Sequence, residues 1–283
     1  MSDFIHKKYE KLAEIAHEYE ASYSDAKPFP SIYFEDFFNP EMLDKVISEF
    51  PDLSKENSVR FNDKNQKKFA GKGDKSFGDE TKKFIYYLNS EPFLKFIQSL
   101  TGIDEILLGD PYFSGGGLHE IKKGGLLKIH ADFNKHPTTG LDRRVNVLVY
   151  LNKDWKEEYG GHFELWDKDM EGCKQRVLPE FNTLAIFTTT GSSYHGHPDP
   201  LNCPEGMSRK SIALYYYSNG RAHSEINSAS KRHNTLFQAR NGNKNDQVKL
   251  FEVMRLSTAK QVVRGVTPPI LMKIAKVVMK KLR

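Results

Sequence analysis

Cysteine is scarce. The chain of 283 residues has two, Cys173 and Cys203, too few for a disulfide framework and wrongly spaced for a zinc site. A reducing compartment is the expectation. Long apolar runs are also missing, which argues against a membrane span. The opening MSDFIHKKYEKLAEIAHEYE is charged throughout and lacks the apolar core of a signal peptide. A cytoplasmic protein is expected. Charge of one sign is not concentrated either. The formal net charge is +5, with Lys and Asp/Glu interspersed, whereas a nucleic-acid binder gathers its cations on one face. No nucleic-acid partner is expected. There is no internal repeat and no low-complexity tract.

Aromatic residues are plentiful, with 19 Phe and 13 Tyr, which suits β-rich packing or a lined pocket. Residues 1–106 read as a helical support. Phe4, Ile5, Leu12, Ile15 and Ala16 suggest an amphipathic helix over 4–20, and a strand is expected at 31–35. NPEMLDKVISEF begins with Asn39 as a cap and Pro40 in the first turn, a helix start. Residues 52–83 are polar and Lys-rich and read as a long exposed loop, either a plain connection or a lid. A further helix is expected at 91–101.

From residue 107 to 218 the texture changes. VNVLVYLN, GHFELWD, NTLAIFTT and KSIALYYYS are short β-type runs broken by turn residues. Their spacing predicts a mainly β sandwich or barrel with flanking helices. Residues 219–283 form an extension. In its tail, after Pro268 and Pro269, Ile270, Leu271, Ile274, Val277, Val278 and Leu282 share one helical face, and Lys273, Lys276, Lys280 and Arg283 lie opposite. Such a helix suits docking on the domain or, as a basic amphipathic helix, an anionic membrane surface or a partner.

KIHADFNKH places His130 and Asp132 two residues apart. On a strand, both point to one side, where an imidazole and a carboxylate can grip one ion. Alone this is a common pattern. Downstream, SSYHGHPDP supplies His195 and His197 at the end of a strand, so a third ligand could join from across a barrel. Two histidines and one carboxylate on one face of an ion leave positions open, the arrangement of non-haem Fe(II) oxygenases. Arg209 and Ser211 share a strand face, and a planar guanidinium matches a carboxylate.

GGLLKIHADFN, RRVNVLVYLNKDW, EYGGHFELWD, NTLAIFTTTGSSYHGHP and RKSIALYYY, in that order, resemble the Fe(II)- and 2-oxoglutarate-dependent oxygenases of the prolyl 4-hydroxylase-like superfamily. The upstream PFPSIYFEDFFNPEMLDKVISEFP resembles the helix-bearing part of such enzymes. The resemblance implies a double-stranded β-helix (jelly-roll, cupin-like) core at 107–218. It implies His130, Asp132 and His195 as iron ligands, with His197 a rival third ligand. It implies Arg209, with Ser211, as the anchor of the distal carboxylate of 2-oxoglutarate and Tyr150 as a contact to the same cosubstrate. Asn146 and Leu148 share the Tyr150 face and are expected to line the pocket. Fe(II), 2-oxoglutarate and O2, with ascorbate as a further reductant, are the implied cofactors. The implied reaction couples oxidative decarboxylation of 2-oxoglutarate to hydroxylation of an unactivated C–H bond in a small molecule or a peptide.

Two features depart from the family pattern. PLNCPEGMS lengthens the connection from His195 to Arg209. The tyrosine that commonly stands about ten residues before the first ligand is replaced by His119 or Glu120. Asn134, His136, Arg144, Trp155, His162 and Trp166 are the rim positions that could select a substrate. A non-catalytic cupin-like binding module and a zinc hydrolase on the same triad are the competing readings; the second leaves Arg209 and Ser211 unexplained. A monomer and a homodimer are both compatible with the sequence.

Overall fold

The computed structural model describes residues 3–226, 231–243 and 246. The tail helix expected at 266–283 lies outside these residues. Among them, no helix is long and apolar enough to cross a membrane.

Four helices precede the barrel: α1 (Leu12–Ser24), α2 (Pro40–Ser48), α3 (Asp79–Leu88) and α4 (Glu91–Thr101). Local chemistry explains their ends. The Asn39 side chain accepts from the Glu41 amide at 3.0 Å, and Pro40 opens the first turn of α2. Gly102, at φ 64°, closes α4 in the left-handed conformation. Helix α3 is capped from a distance, where the Glu49 carboxylate accepts from the Glu80 and Thr81 amides at 3.1 and 2.9 Å. The helix expected from residue 4 begins later, at Leu12. Before it, residues 4–6 are extended, with the Phe4 carbonyl accepting from the Asn39 amide at 2.9 Å and the His6 amide donating to the Phe37 carbonyl at 3.0 Å, and Lys7–Tyr9 make one 3-10 turn.

Twelve strands form two antiparallel sheets among the described residues. In chain order they are β1 (Ser31–Phe34), β2 (Val59–Asn62), β3 (Lys67–Ala70), β4 (Gly117–Lys122), β5 (Leu127–Ala131) and β6 (Asp142–Tyr150), then β7 (Phe163–Trp166), β8 (Cys173–Val177), β9 (Leu184–Thr188), β10 (Tyr194–His197), β11 (Ser208–Ser218) and β12 (Leu236–Phe237). The larger sheet has the order β1-β9-β6-β11-β4-β3-β2, the smaller β12-β5-β10-β7-β8. From β4 to β11 the chain repeatedly crosses between the sheets, which is the winding of a jelly roll.

Three strands of the larger sheet come from before residue 107, so the N-terminal part supplies strands as well as helices. In particular, the stretch expected to be a long loop at 52–83 holds the β2–β3 hairpin. Asp63 closes its turn by accepting from the Asn65 and Gln66 amides at 2.8 and 3.1 Å. The sequence conceals this hairpin because one face is exposed and Lys-rich, which leaves too few apolar residues to mark a period.

The alternation of the central strands assigns each side chain to a layer. Val145, Val147 and Val149 on β6, with Ile212, Leu214 and Tyr216 on β11, face the helices and share a core with Phe37, Phe38, Phe93 and Phe96. Each such buried apolar side chain contributes about 1.5–3 kcal/mol. The alternate residues, Asn146, Leu148 and Tyr150 on β6 and Arg209, Ser211 and Ala213 on β11, line the space between the sheets. Asn182 joins the two layers: its side chain accepts from the Phe38 amide at 2.9 Å and donates to the Phe38 carbonyl at 2.8 Å.

Candidate metal centre and cosubstrate pocket

Strand β10 pairs with β5 in the register His195↔His130. This puts two imidazoles side by side, with ring centroids 4.5 Å apart. Asp132 follows β5 directly, and the ligand atoms of His130, Asp132 and His195 all lie within 4.8 Å of one another. His197 pairs with Leu127 further along β10 and is not part of this group. The glycine between the two histidines is required by the close strand approach, because a Cβ on Gly196 would lie 2.7 Å from the Leu127 carbonyl oxygen and 2.9 Å from that of Lys128.

The tautomers are set by the backbone. His130 Nδ1 lies 2.8 Å from the Lys128 carbonyl and His195 Nδ1 lies 2.9 Å from the Ser193 carbonyl. Each Nδ1 therefore carries the proton it donates, and each Nε2 keeps a lone pair. Both Nε2 atoms face the Asp132 carboxylate, at 3.6 and 3.4 Å. Burial, and then the neighbouring His130, push His195 down to about 3, so it is a neutral donor.

Asp132 is held by its other surroundings. Its Oδ2 accepts from Arg143 Nη2 at 2.9 Å and from Asn146 Nδ2 at 2.7 Å. Asn146 Oδ1 in turn accepts from Arg143 Nε at 2.8 Å and Thr189 Oγ1 at 3.2 Å. Burial raises the Asp132 carboxyl, but Arg143, then His195 and His130, outweigh it and hold the group well below the usual carboxylate range. Two imidazoles and one ionised carboxylate, with no thiolate among them, form a donor set that suits Fe(II).

Arg143 was not singled out in the sequence, which named Arg144 among the rim positions instead. A β-bulge reverses the two. Tyr216 pairs with Val145 and Tyr217 with Arg143, which leaves Arg144 as the extra residue. Arg143 turns inward, with Tyr215 and Phe133 stacked on its guanidinium at 3.4 and 4.4 Å. Arg144 turns to Glu105 and Glu225, at 2.6 and 2.8 Å. The other rim positions are also engaged elsewhere, and only Asn134 and His136 stay close to the site in sequence. Asn134 bonds to His233 and Lys231. His136 caps the turn at Thr138 and Thr139. The Trp155 indole donates to the Gly160 carbonyl, His162 meets Glu157, and the Trp166 indole donates to Glu164. None of the six lines the pocket beside the triad.

That pocket has a polar end at Arg209. Arg209 Nε donates to the Gly161 carbonyl at 2.7 Å, and Nη2 donates to Tyr150 Oη at 3.2 Å. Nη1 has no acceptor among the described residues. Ser211, Asn146 and Leu148 also line the pocket, and Phe163 and Phe187 wall it on the side of His195. On β4, His119 and Ile121 face inward. Glu120, one of the two residues considered for the missing tyrosine, faces away and binds the Leu53 amide and the Ser208 hydroxyl. The long connection before Arg209 packs Leu201 and Cys203 against Trp155 and Ile121.

Residues 116–217 match the model of the 2OG-Fe(II) oxygenase superfamily. Within the barrel, that span carries the pattern of a 2OG-Fe(II) oxygenase domain. Solved structures agree in fold. A prolyl-4-hydroxylase from Pseudomonas putida superposes with a TM-score of 0.53 at 15% identity, covering 74% of this chain and 100% of that one. A prolyl hydroxylase from Trichoplax adhaerens, in complex with a hypoxia inducible factor peptide fragment, gives 0.56 at 16% identity, covering 75% and 92%. A 2OG-Fe(II) oxygenase family oxidoreductase from Burkholderia pseudomallei gives 0.50 at 12%, covering 73% and 94%. No curated protein matches the chain in sequence. The match over that span implies oxygenase chemistry with Fe(II), 2-oxoglutarate and O2, and the solved structures share the fold around it.

Proposed function

We propose that His130, Asp132 and His195 hold the iron and that Arg209, with Tyr150 and Ser211, holds the distal carboxylate of 2-oxoglutarate. The observation that carries this reading is the pair of backbone-fixed imidazoles facing one carboxylate, beside an arginine with an unused nitrogen. Bound iron with its 2-oxo acid supplies the oxidising power for C–H hydroxylation. The protein does the rest. The Lys128 and Ser193 carbonyls keep both Nε2 atoms deprotonated. Arg143 and Asn146 occupy Asp132 Oδ2 and leave Oδ1 to the metal. Tyr150, raised above the ordinary phenol value by burial, stays protonated, so its hydroxyl can donate a hydrogen bond to a carboxylate. Leu148, Phe163 and Phe187 exclude water from the aliphatic part of the cosubstrate.

For the substrate, we infer a residue within a peptide. An open groove is lined by Ser114, Gly115, Phe133, Lys135, Pro137 and Arg232 to Thr235, and Phe133 follows Asp132 directly in the chain. The Trichoplax relative binds a peptide fragment, which supports the same reading. A cytoplasmic setting and ascorbate as an added reductant complete the proposal.

The test is succinate release. Purified protein with Fe(II), ascorbate and 2-oxoglutarate is expected to form succinate slowly alone and faster with proline-containing peptides. His130→Ala and Asp132→Ala are expected to abolish both. Succinate formation by either variant at the wild-type rate refutes the ligand assignment; stimulation by free amino acids but not peptides refutes the substrate class.

A further inference from the structure

The pocket holds more positive and donor groups than one guanidinium anchor requires. Lys68, on β3, extends into it from outside the jelly-roll strands. Its ammonium has no hydrogen bond or ion pair among the described residues and lies 5.2 Å from the centre of the Phe61 ring. His197, on β10, is 3% exposed, and neither of its ring nitrogens has a partner. Both side chains line the same pocket as Arg209.

Isolated buried polar groups and charges are costly. An unpartnered polar group costs about 1–3 kcal/mol, and an enclosed ion without a counter-charge costs more. The one carboxylate of the pocket does not relieve them, because Asp132 is already bonded to Arg143 and Asn146. Half-buried Lys68 and buried Arg209 thus face a pocket whose one carboxylate is already bonded to other groups. Burial, offset in part by Asp132 and reinforced by Arg143 and Arg209, lowers the Lys68 ammonium to about 8. A carboxylate entering the pocket would give both cations a counter-charge and His197 a partner.

We propose that Lys68 and His197 are cosubstrate-binding residues that, with Arg209, surround 2-oxoglutarate, Lys68 giving the second positive charge and His197 a ring N–H to a carboxylate oxygen. This rests on the oxygenase reading above and adds to it a contact brought by the β2–β3 hairpin. The distal carboxylate is then met by two protein cations, while the 2-oxo acid end is left to the metal, and Ile121, which has no hydrogen-bonding group, stands beside them without a polar role.

Calorimetry of 2-oxoglutarate binding to the full chain loaded with Fe(II), without oxygen, tests this. Mn(II) binding to the metal-free protein, followed by electron paramagnetic resonance, is the second readout. Removal of a charge-assisted hydrogen bond predicts that Lys68→Met binds 2-oxoglutarate roughly ten- to a hundredfold more weakly. Lys68→Arg is expected to recover much of the loss, and His197→Leu to weaken binding while His197→Gln, which keeps a donor, weakens it less. Mn(II) affinity is expected to stay at the wild-type level in all four. Lys68→Met and His197→Leu binding 2-oxoglutarate as tightly as wild type, while Arg209→Ala does not, overturns this proposal and spares the oxygenase reading. Mn(II) affinity falling in parallel also overturns it, since the residues would then be shaping the metal site. No 2-oxoglutarate binding by the wild type removes both readings.

Discussion

Gly161 gives the sharpest check on how the cosubstrate anchor is placed, because its neighbour Gly160 is a built-in control. Both have positive φ, 75° for Gly161 and 69° for Gly160. An alanine at either is strained by about 1–3 kcal/mol. The two differ in what a methyl group would meet. At Gly160 nothing lies within 4 Å, whereas at Gly161 the added carbon would be 2.5 Å from Leu201 Cδ2 and 3.0 Å from Arg209 Cδ. The leucine methyl can rotate away. Arg209 has less freedom, since its Nε is tied to the carbonyl of this same Gly161 at 2.7 Å and its Nη2 to Tyr150. It must shift by a few tenths of an ångström, and a charge-assisted contact worth about 1.5–3 kcal/mol is then partly lost. Urea denaturation is expected to show both variants destabilised by the shared positive φ, Gly161→Ala the more so because of the added contacts. Calorimetry is expected to show 2-oxoglutarate affinity near wild type in the first and reduced about tenfold in the second, the equivalent of about 1.4 kcal/mol. Equal affinities in the two variants would refute the argument that backbone proximity positions the guanidinium.

Two further outcomes concern the scaffold. Asn182→Ala leaves the buried N–H and C=O of Phe38 unpaired and is expected to cost about 2–5 kcal/mol by chemical denaturation; a loss under about 0.5 kcal/mol, the size of an ordinary surface change, would mean that the two layers are joined by packing alone. Glu49, the remote cap of α3, sits below the ordinary carboxyl range: burial raises it, but the Thr81 and Glu80 amides and the Thr81 hydroxyl outweigh this. A depressed value means stability that is present above the unfolded value of about 4.3 and is lost as pH falls through the lower folded one. The acid limb of a melting-temperature profile is therefore expected to be shallower in Glu49→Gln than in wild type, and an unchanged limb would show that the cap carries no charge-dependent stability.

Much of this was legible in the sequence, for reasons that can be named. The His130 and Asp132 pair is local, so its spacing alone suggests a shared ion. Tyr150, Leu148 and Asn146 follow the simple alternation of a regular strand, as do Arg209 and Ser211, and the structure brings all five to one pocket. The start of α2 was marked by Asn39 and Pro40. Where regularity breaks, the sequence misleads. The bulge at Arg144 exchanges the roles of two adjacent arginines, and nothing in RRVNV marks an inserted residue. Lys68 was hidden because its significance depends on β3 pairing with β4, far away along the chain, and the surrounding lysines look like an ordinary solvated surface. Between His119 and Glu120, only the register of β4 decides which faces inward.

The winding of the barrel also bears on how the protein comes to be folded. β4 lies against β11, and β5 against β10, so the pairings that enclose the pocket join segments separated by most of the domain. Closing such long loops is entropically costly, and chains dominated by distant pairings fold slowly. His130 and Asp132 are neighbours from the moment of synthesis, but His195 reaches them only once β10 has docked on β5. A growing or half-folded chain therefore offers a metal ion two ligands at most, and a complete coordination site is a late product of assembly.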